Sequence, residues 1–292
     1  MLALQPPIAL LAIACLAGSA APSWSPQAET PADPKPQTVV VIGASLAAGP
    51  GALLGAKATD GSEAFANLHL YPEVLEHLEP AWDIENLGHT WFFSQPEDHG
   101  DSQIEAAIAL EPDVVLALDF PFWFAYGGRG DTERLAYLRK EGLDRLEQLW
   151  DGKANDERPL VLVGQLPDVR DSPVLSRSQL PGDETLKELN AEIELWIERH
   201  DNVRLVPFAA QLASLQAGKE VQIGATTYTK RDIETLLLDD RLHPSTRGAS
   251  LVAALCLEGL KEAKIPLTTN IAELDVRALA ENLIAAAKGE SD

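Results

Sequence analysis

The sequence predicts an α/β protein of three layers, α/β/α, built on a parallel sheet. Three observations predict it. Five short apolar runs, several of them β-branched, recur along the chain. Segments with helical spacing lie between them. Neither an internal repeat nor a second domain boundary interrupts the series. Strands that alternate with helices argue for βαβ units, whose crossovers cover both faces of a parallel sheet.

Each element has its own justification. Residues 38–42 (TVVVI) form a β-branched run that ends at a glycine, the signature of a strand buried on both faces. Residues 82–87 (WDIENL) make a weaker strand, also ending at a glycine, Gly88. Residues 113–118 (DVVLAL), 159–163 (PLVLV) and 202–206 (NVRLV) supply three more. Helical spacing runs over 73–78, 103–110, 132–150 and 184–200, the last opened by a turn and N-cap at 181–183 (PGD). Residues 269–288 read as one more helix on the same body.

Composition narrows the function. The 292 residues carry 45 acidic and 23 basic side chains, a net charge of −22. Such a surface repels phosphate backbones and anionic headgroups, which excludes nucleic acid and membrane-surface adhesion as partners. Two cysteines build neither a disulfide framework nor a Cys-rich zinc site.

The N-terminus reads as a signal peptide over residues 1–21. An apolar run from Ile8 to Ala17, too short to span a bilayer, is followed by Gly18, Ser19, Ala20 and Ala21. No Lys or Arg precedes Lys35, so the usual basic start is missing, as a misassigned start codon would explain. A lipidated Cys15 is the variant of this reading. Residues 22–37 form a linker rich in Pro, Ser and Ala, and residues 38–292 a single domain. The expectation is an exported protein, periplasmic or extracellular. Cys256 then remains as the sole thiol, buried and inert within an apolar helical stretch (LVAALCLEGL).

In parallel sheets ligands bind beyond the carboxyl ends of the strands, so the residues after each strand carry the chemistry. Ser45 follows the first strand in Gly43–Ala44–Ser45–Leu46, where a strand-to-helix turn aims a hydroxyl into the crevice and leaves its own amide at a helix N-terminus. That suits a nucleophile whose backbone N–H helps bind the oxyanion formed on attack. Asp240 and His243 stand three apart in DRLHPSTRG, close enough for the carboxylate to orient one ring nitrogen while the other accepts the serine proton. Ser245 or Thr246 caps the helix that follows. Gly88 offers a second oxyanion donor. Singly these are ordinary turns; their joint order carries the argument.

In that order the chain resembles the SGNH/GDSL hydrolases. VVVIGASLAAG is similar to the first block of that family, with Ala44 where an aspartate is usual. ENLGHT is similar to the second at Gly88, and LLLDDRLHPSTRGASLVA to the last at Asp240 and His243. The resemblance runs from about Thr38 to Leu255 and implies a flavodoxin-like, SGNH hydrolase-like fold. It also implies an SGNH/GDSL-type esterase working through an acyl-serine, a small-molecule, glycan or lipid ester as substrate, and no metal or organic cofactor. No partner protein is inferable.

The third block departs from the family's Gly-x-Asn-Asp pattern, whose asparagine is a third oxyanion donor. Here Asp119 is followed by FPFWFAY, and no asparagine lies between Asn86 and Asn155. Asp119 is expected to cap the next helix or to pair with Arg129. The five aromatics of 120–126, Phe122 and Trp123 among them, form either a core anchor or an apolar wall beside the serine, and His89 is a candidate to touch substrate. The charged loop 165–181 is expected as a solvated rim.

Two other functions remain open. One is a catalytically impaired protein on the same fold that binds a glycan or lipid. The other takes Gly43, Ser45 and Ala48 as a degenerate dinucleotide fingerprint, although Ser45 fills the glycine that lets the backbone approach pyrophosphate.

Overall fold

All five apolar runs become strands of one sheet: β1 (Thr38–Val41), β2 (Asp83–Asn86), β3 (Val114–Ala117), β4 (Leu160–Gly164) and β5 (Val203–Val206). The computed structural model describes residues 37–49 and 68–289. The segment expected as a signal peptide, the expected linker as far as residue 36 and Cys15 lie outside these residues. The strands run parallel in the order β2-β1-β3-β4-β5. The chain therefore leaves β1 toward one edge and crosses back over it to β3, which puts the topological switch point between the ends of β1 and β3.

Side-chain alternation explains the three layers. Val39, Val41, Val114, Leu116 and Leu162 face one hydrophobic cluster, whereas Val40, Ile42, Val115, Ala117, Val161 and Val163 face the other. A strand covered on both sides has no polar face, hence the unbroken apolar runs. β2 is an edge strand and largely exposed, which is why WDIENL reads as weak.

The helices divide between these clusters. Short α1 (Ser45–Ala48) leaves β1, and α2 (Tyr71–Leu78) follows. α3 (Pro96–Ala109) starts earlier than its periodicity suggests, with proline in its first turn, where the lost N–H is not needed. Then come α4 (Phe122–Ala125), α5 (Asp131–Tyr137), α6 (Asp144–Glu147), α7 (Asp183–Glu198), α8 (Phe208–Gln216), α9 (Ile233–Leu236), α10 (Thr246–Glu262) and α11 (Val276–Ala287). Apolar residues of α2, α10 and α11 fill the first cluster, those of α3, α4 and α7 the second.

Two expectations are corrected and one element is added. The stretch 132–150 is not one helix: a π-helical turn, Leu138–Leu143, separates α5 from α6, and Gly142 within it packs against Phe124. The C-terminal helix begins at Val276, not 269, because Asp275 caps it through the amides of Arg277 and Ala278. An antiparallel hairpin of β6 (Val221–Ile223) and β7 (Thr226–Tyr228) stands outside the main sheet, too short to register as periodicity. Cys256 is fully buried, as its surroundings imply. Among the described residues no helix is long and apolar enough to cross a membrane.

Candidate active site

Ser45 is the first residue of α1, immediately beyond the carboxyl end of β1. The turn that presents it has no side-chain cap of its own, since Ala44 precedes the helix. Asp119, at the end of β3, supplies one from across the switch point. Its Oδ1 accepts the Ala44 N–H at 3.0 Å and its Oδ2 the Leu46 N–H at 2.8 Å. The two amides flanking Ser45 are thereby satisfied, while the Ser45 N–H has no acceptor among the described residues, as a helix N-terminus leaves its first amides. Asp119 thus caps the helix that carries the serine, not the one after its own strand. Arg129 pairs instead with Glu97, at 3.6 Å, and lies over the Tyr137 ring.

Gly43 makes this approach possible. Its φ is +144°, and a Cβ there would meet Asp119 Oδ1 at 2.1 Å. Its peptide is latched by buried Gln103, whose Oε1 accepts the Gly43 N–H (2.9 Å) and whose Nε2 donates to the carbonyls of Gly43 (2.8 Å) and Leu87 (2.9 Å). Nothing in the local sequence marks Gln103, a mid-helix glutamine, for this task.

His243 meets the serine across 198 residues of chain. The Ser45 Oγ–His243 Nε2 distance is 2.8 Å and the His243 Nδ1–Asp240 Oδ2 distance 2.7 Å. An ionised carboxylate only accepts, so Nδ1 carries the proton and the Nε2 lone pair faces the serine hydroxyl. Both Asp240 and His243 are buried. Burial alone would raise the Asp240 pKa, but the His243 ring and the amides of His243 and Leu242 hold its carboxyl below the usual range. Those amides reach Asp240 Oδ1 at 3.0 and 2.9 Å, closing a tight loop in which Arg241 takes φ +51°. The loop is braced by the Leu238 N–H on the His243 carbonyl (2.8 Å) and the Ser172 hydroxyl on the Asp240 carbonyl (2.8 Å). Ser245 then caps α10, accepting the Gly248 N–H at 3.2 Å and donating to the Thr235 carbonyl at 2.6 Å.

Asp119 is half-buried behind the serine turn. Desolvation pushes its pKa up to about 6, against the lowering effect of the two amides it caps. A carboxylate beside the serine turn is thus held close to its protonation point.

Gly88 has a different partner from the expected one. Its N–H donates to Asn86 Oδ1 at 2.9 Å, because an asparagine two residues earlier closes an Asx turn on that amide. Asn86 Nδ2 in turn donates to the Ala47 carbonyl at 2.9 Å, tying β2 to α1. What Gly88 contributes here is room: a Cβ would come within 2.7 Å of Ala47 Cβ.

The serine and histidine open on a cleft of two lobes, which have Ser45, Leu242 and His243 in common. Trp123 lines one and Phe122 the other, so the aromatic segment walls the site on both sides while Phe120 and Phe124 anchor it in the core. His89 lines neither. Its amide donates to the Gly43 carbonyl (3.0 Å) and its ring stacks on His99 at 4.0 Å. Trp91 and Phe93, further along the same loop, line the cleft in its place. In the loop 165–181, Arg170 pairs with Asp168 and Asp183 on the surface, while Val174, Leu175 and Gln179 turn into the cleft. Among the described residues, no group of three or more His, Cys, Asp or Glu converges as a metal site.

No protein-family model and no curated protein matches the chain. Solved structures do resemble it. An acetylxylan esterase from Geobacillus stearothermophilus is 16% identical, with 80% of this chain and 97% of that one covered and a TM-score of 0.47. The psychrotrophic esterase EstA from Pseudoalteromonas sp. is 13% identical, with 78% and 98% covered and a TM-score of 0.46. A gut microbial diltiazem-metabolizing enzyme is 14% identical, with 78% of this chain covered and a TM-score of 0.46; the chain spans 47% of that protein's length.

Proposed function

We propose that the chain is a serine hydrolase of the SGNH/GDSL type that cleaves carboxylic esters through an acyl-serine. One observation carries the reading: the hydrogen-bonded series Ser45 Oγ, His243 Nε2, His243 Nδ1, Asp240 Oδ2. Ser45 Oγ attacks the ester carbonyl as His243 Nε2 takes its proton, and Asp240 stabilises the imidazolium that results. The tetrahedral intermediate places its oxyanion at the Ser45 N–H. Collapse breaks the C–O bond to the alcohol, which leaves with the proton from His243. Water, deprotonated by His243, then cleaves the acyl-serine to the acid and restores the serine.

The oxyanion site is sparse. With Gly88 engaged by Asn86 and no asparagine in 119–126, the Ser45 amide is the open donor among the described residues. An absent donor costs about 100- to 1000-fold in rate, so slow turnover is expected. A serine-directed fluorophosphonate is expected to label the protein and to fail on Ser45→Ala. Equal labelling of both sinks the assignment.

The shortage of donors favours one second reading, a protein on this fold that binds a glycan or lipid without turning it over. Ester turnover no faster than buffer, with measurable binding, decides for it. Export rests on the N-terminal reading. Fractionating cells that express the full chain checks it: mature protein lacking residues 1–21 is expected outside the cytoplasm.

A further inference from the structure

The two lobes at Ser45 differ in kind. The inner lobe, about 70 Å³, is roofed by the carboxyl ends of the sheet: Leu118 beyond β3, Gly164 of β4 and Val206 of β5, with Phe208 at the start of α8 closing it. Its one charged side chain, Asp119, is occupied by the amides of Ala44 and Leu46. The outer lobe, about 170 Å³, has no charged side chain in its lining. Its wall is a series of rings, Trp91 to Phe93 at 5.5 Å and Phe93 to Trp123 at 5.6 Å.

The outer rim is exposed. Trp91 is 47%, Phe93 44% and Val174 41% accessible, which makes three of the six large apolar side chains exposed among the described residues. Single exposed apolar residues are ordinary, but a cluster at the mouth of one cleft marks where an apolar ligand sits. The acidic surface disfavours an anionic one.

Order of departure assigns the lobes. In acyl-serine chemistry the alcohol leaves first, through the open side, while the acyl group stays attached until water arrives. We propose that the site takes a neutral ester hydrophobic on both sides of its carbonyl. An acyl chain of several carbons fills the inner lobe, and an aromatic or alicyclic alcohol lies against Trp91 and Phe93. The inference rests on the hydrolase reading for its chemistry but not for its binding.

The test therefore has two arms. In the first, 4-nitrophenyl esters from acetate to decanoate are compared, together with ethyl and phenyl octanoate. kcat/KM is expected to rise about fourfold per added methylene over the first few carbons, the rate equivalent of about 0.8 kcal/mol. Phe208→Trp is expected to move the optimum to a shorter chain, and Trp91→Ala with Phe93→Ala to lower the phenyl-over-ethyl ratio about tenfold. A preference for acetate in the wild type overturns the inference and leaves the hydrolase reading standing. In the second arm, Ser45→Ala is titrated with phenyl octanoate, phenyl acetate and a peracetylated sugar, and tryptophan fluorescence is read. Tighter binding of phenyl octanoate supports the inference even where the wild type turns nothing over. Equal binding, or tighter binding of the sugar, overturns it.

Discussion

Asp119 does for this serine turn what a helix's own cap usually does, from 75 residues away. Its raised pKa gives the role a pH signature. A carboxyl raised from 3.8 to about 6 contributes stability that is complete below about pH 4 and lost as pH rises through 6, because the unfolded chain gives up that proton first. Two units correspond to about 3 kcal/mol. Asp119→Asn keeps one acceptor, turns an NH2 toward the other amide and has no such titration. Its deficit relative to wild type is therefore expected to be larger at pH 4 than at pH 7, measured by urea unfolding at both; a deficit independent of pH contradicts the burial argument. Asp240→Asn tests the other carboxylate. An amide accepts from Nδ1 less well and permits the wrong tautomer, so kcat is expected to fall by roughly 10⁴ with the fold intact by circular dichroism. Ser45 was legible because a short turn after a strand holds it, and Asp240 and His243 because they stand three apart in one tight loop before α10. Gln103 was not, since its partners Gly43 and Leu87 lie in other elements.

The loop between α9 and α10 carries the histidine, and its fixation is mostly backbone. Leu237 bridges Pro244, Leu238 holds the His243 carbonyl, and the Ser245 hydroxyl joins Thr235 to Gly248. Ser245 is fully buried, so Ser245→Ala removes a cap and leaves a half-buried carbonyl and a buried amide short of a partner. A loss of about 1–2 kcal/mol is expected, a fall of roughly 3–6 °C in Tm for a body of this size, with kcat/KM reduced as His243 shifts. Ser245→Thr keeps the hydroxyl and is expected to retain most of both; a thermal melt of the two variants checks this. Strands were legible here because burial on both faces leaves an unbroken apolar run. The division of 132–150 was not, since each piece keeps helical spacing and the π turn answers to Phe124 packing on Gly142.

The charge of −22 acts over the whole surface. Self-repulsion among like charges is screened within about 10 Å at 0.1 M salt. Raising sodium chloride from 20 to 500 mM is therefore expected to increase Tm. It is also expected to raise kcat/KM for an anionic ester relative to its neutral counterpart; a fixed ratio means that the surface field does not reach the cleft. The order of strands and helices, the layers and the three residues of the hydrogen-bonded series were already written in the chain, because alternation, burial and turn chemistry are local and repeat at fixed spacing. The packed molecule alone determined that Asp119 caps the serine turn, that Asn86 occupies the Gly88 amide, that His89 turns to His99, and that Trp91 and Phe93 wall the cleft. The Asp119 cap depends on the crossover that sets β1 beside β3, a contact between distant segments that leaves no period in the sequence, whereas the Asn86–Gly88 turn is local and competes with the oxyanion role only through its hydrogen bond.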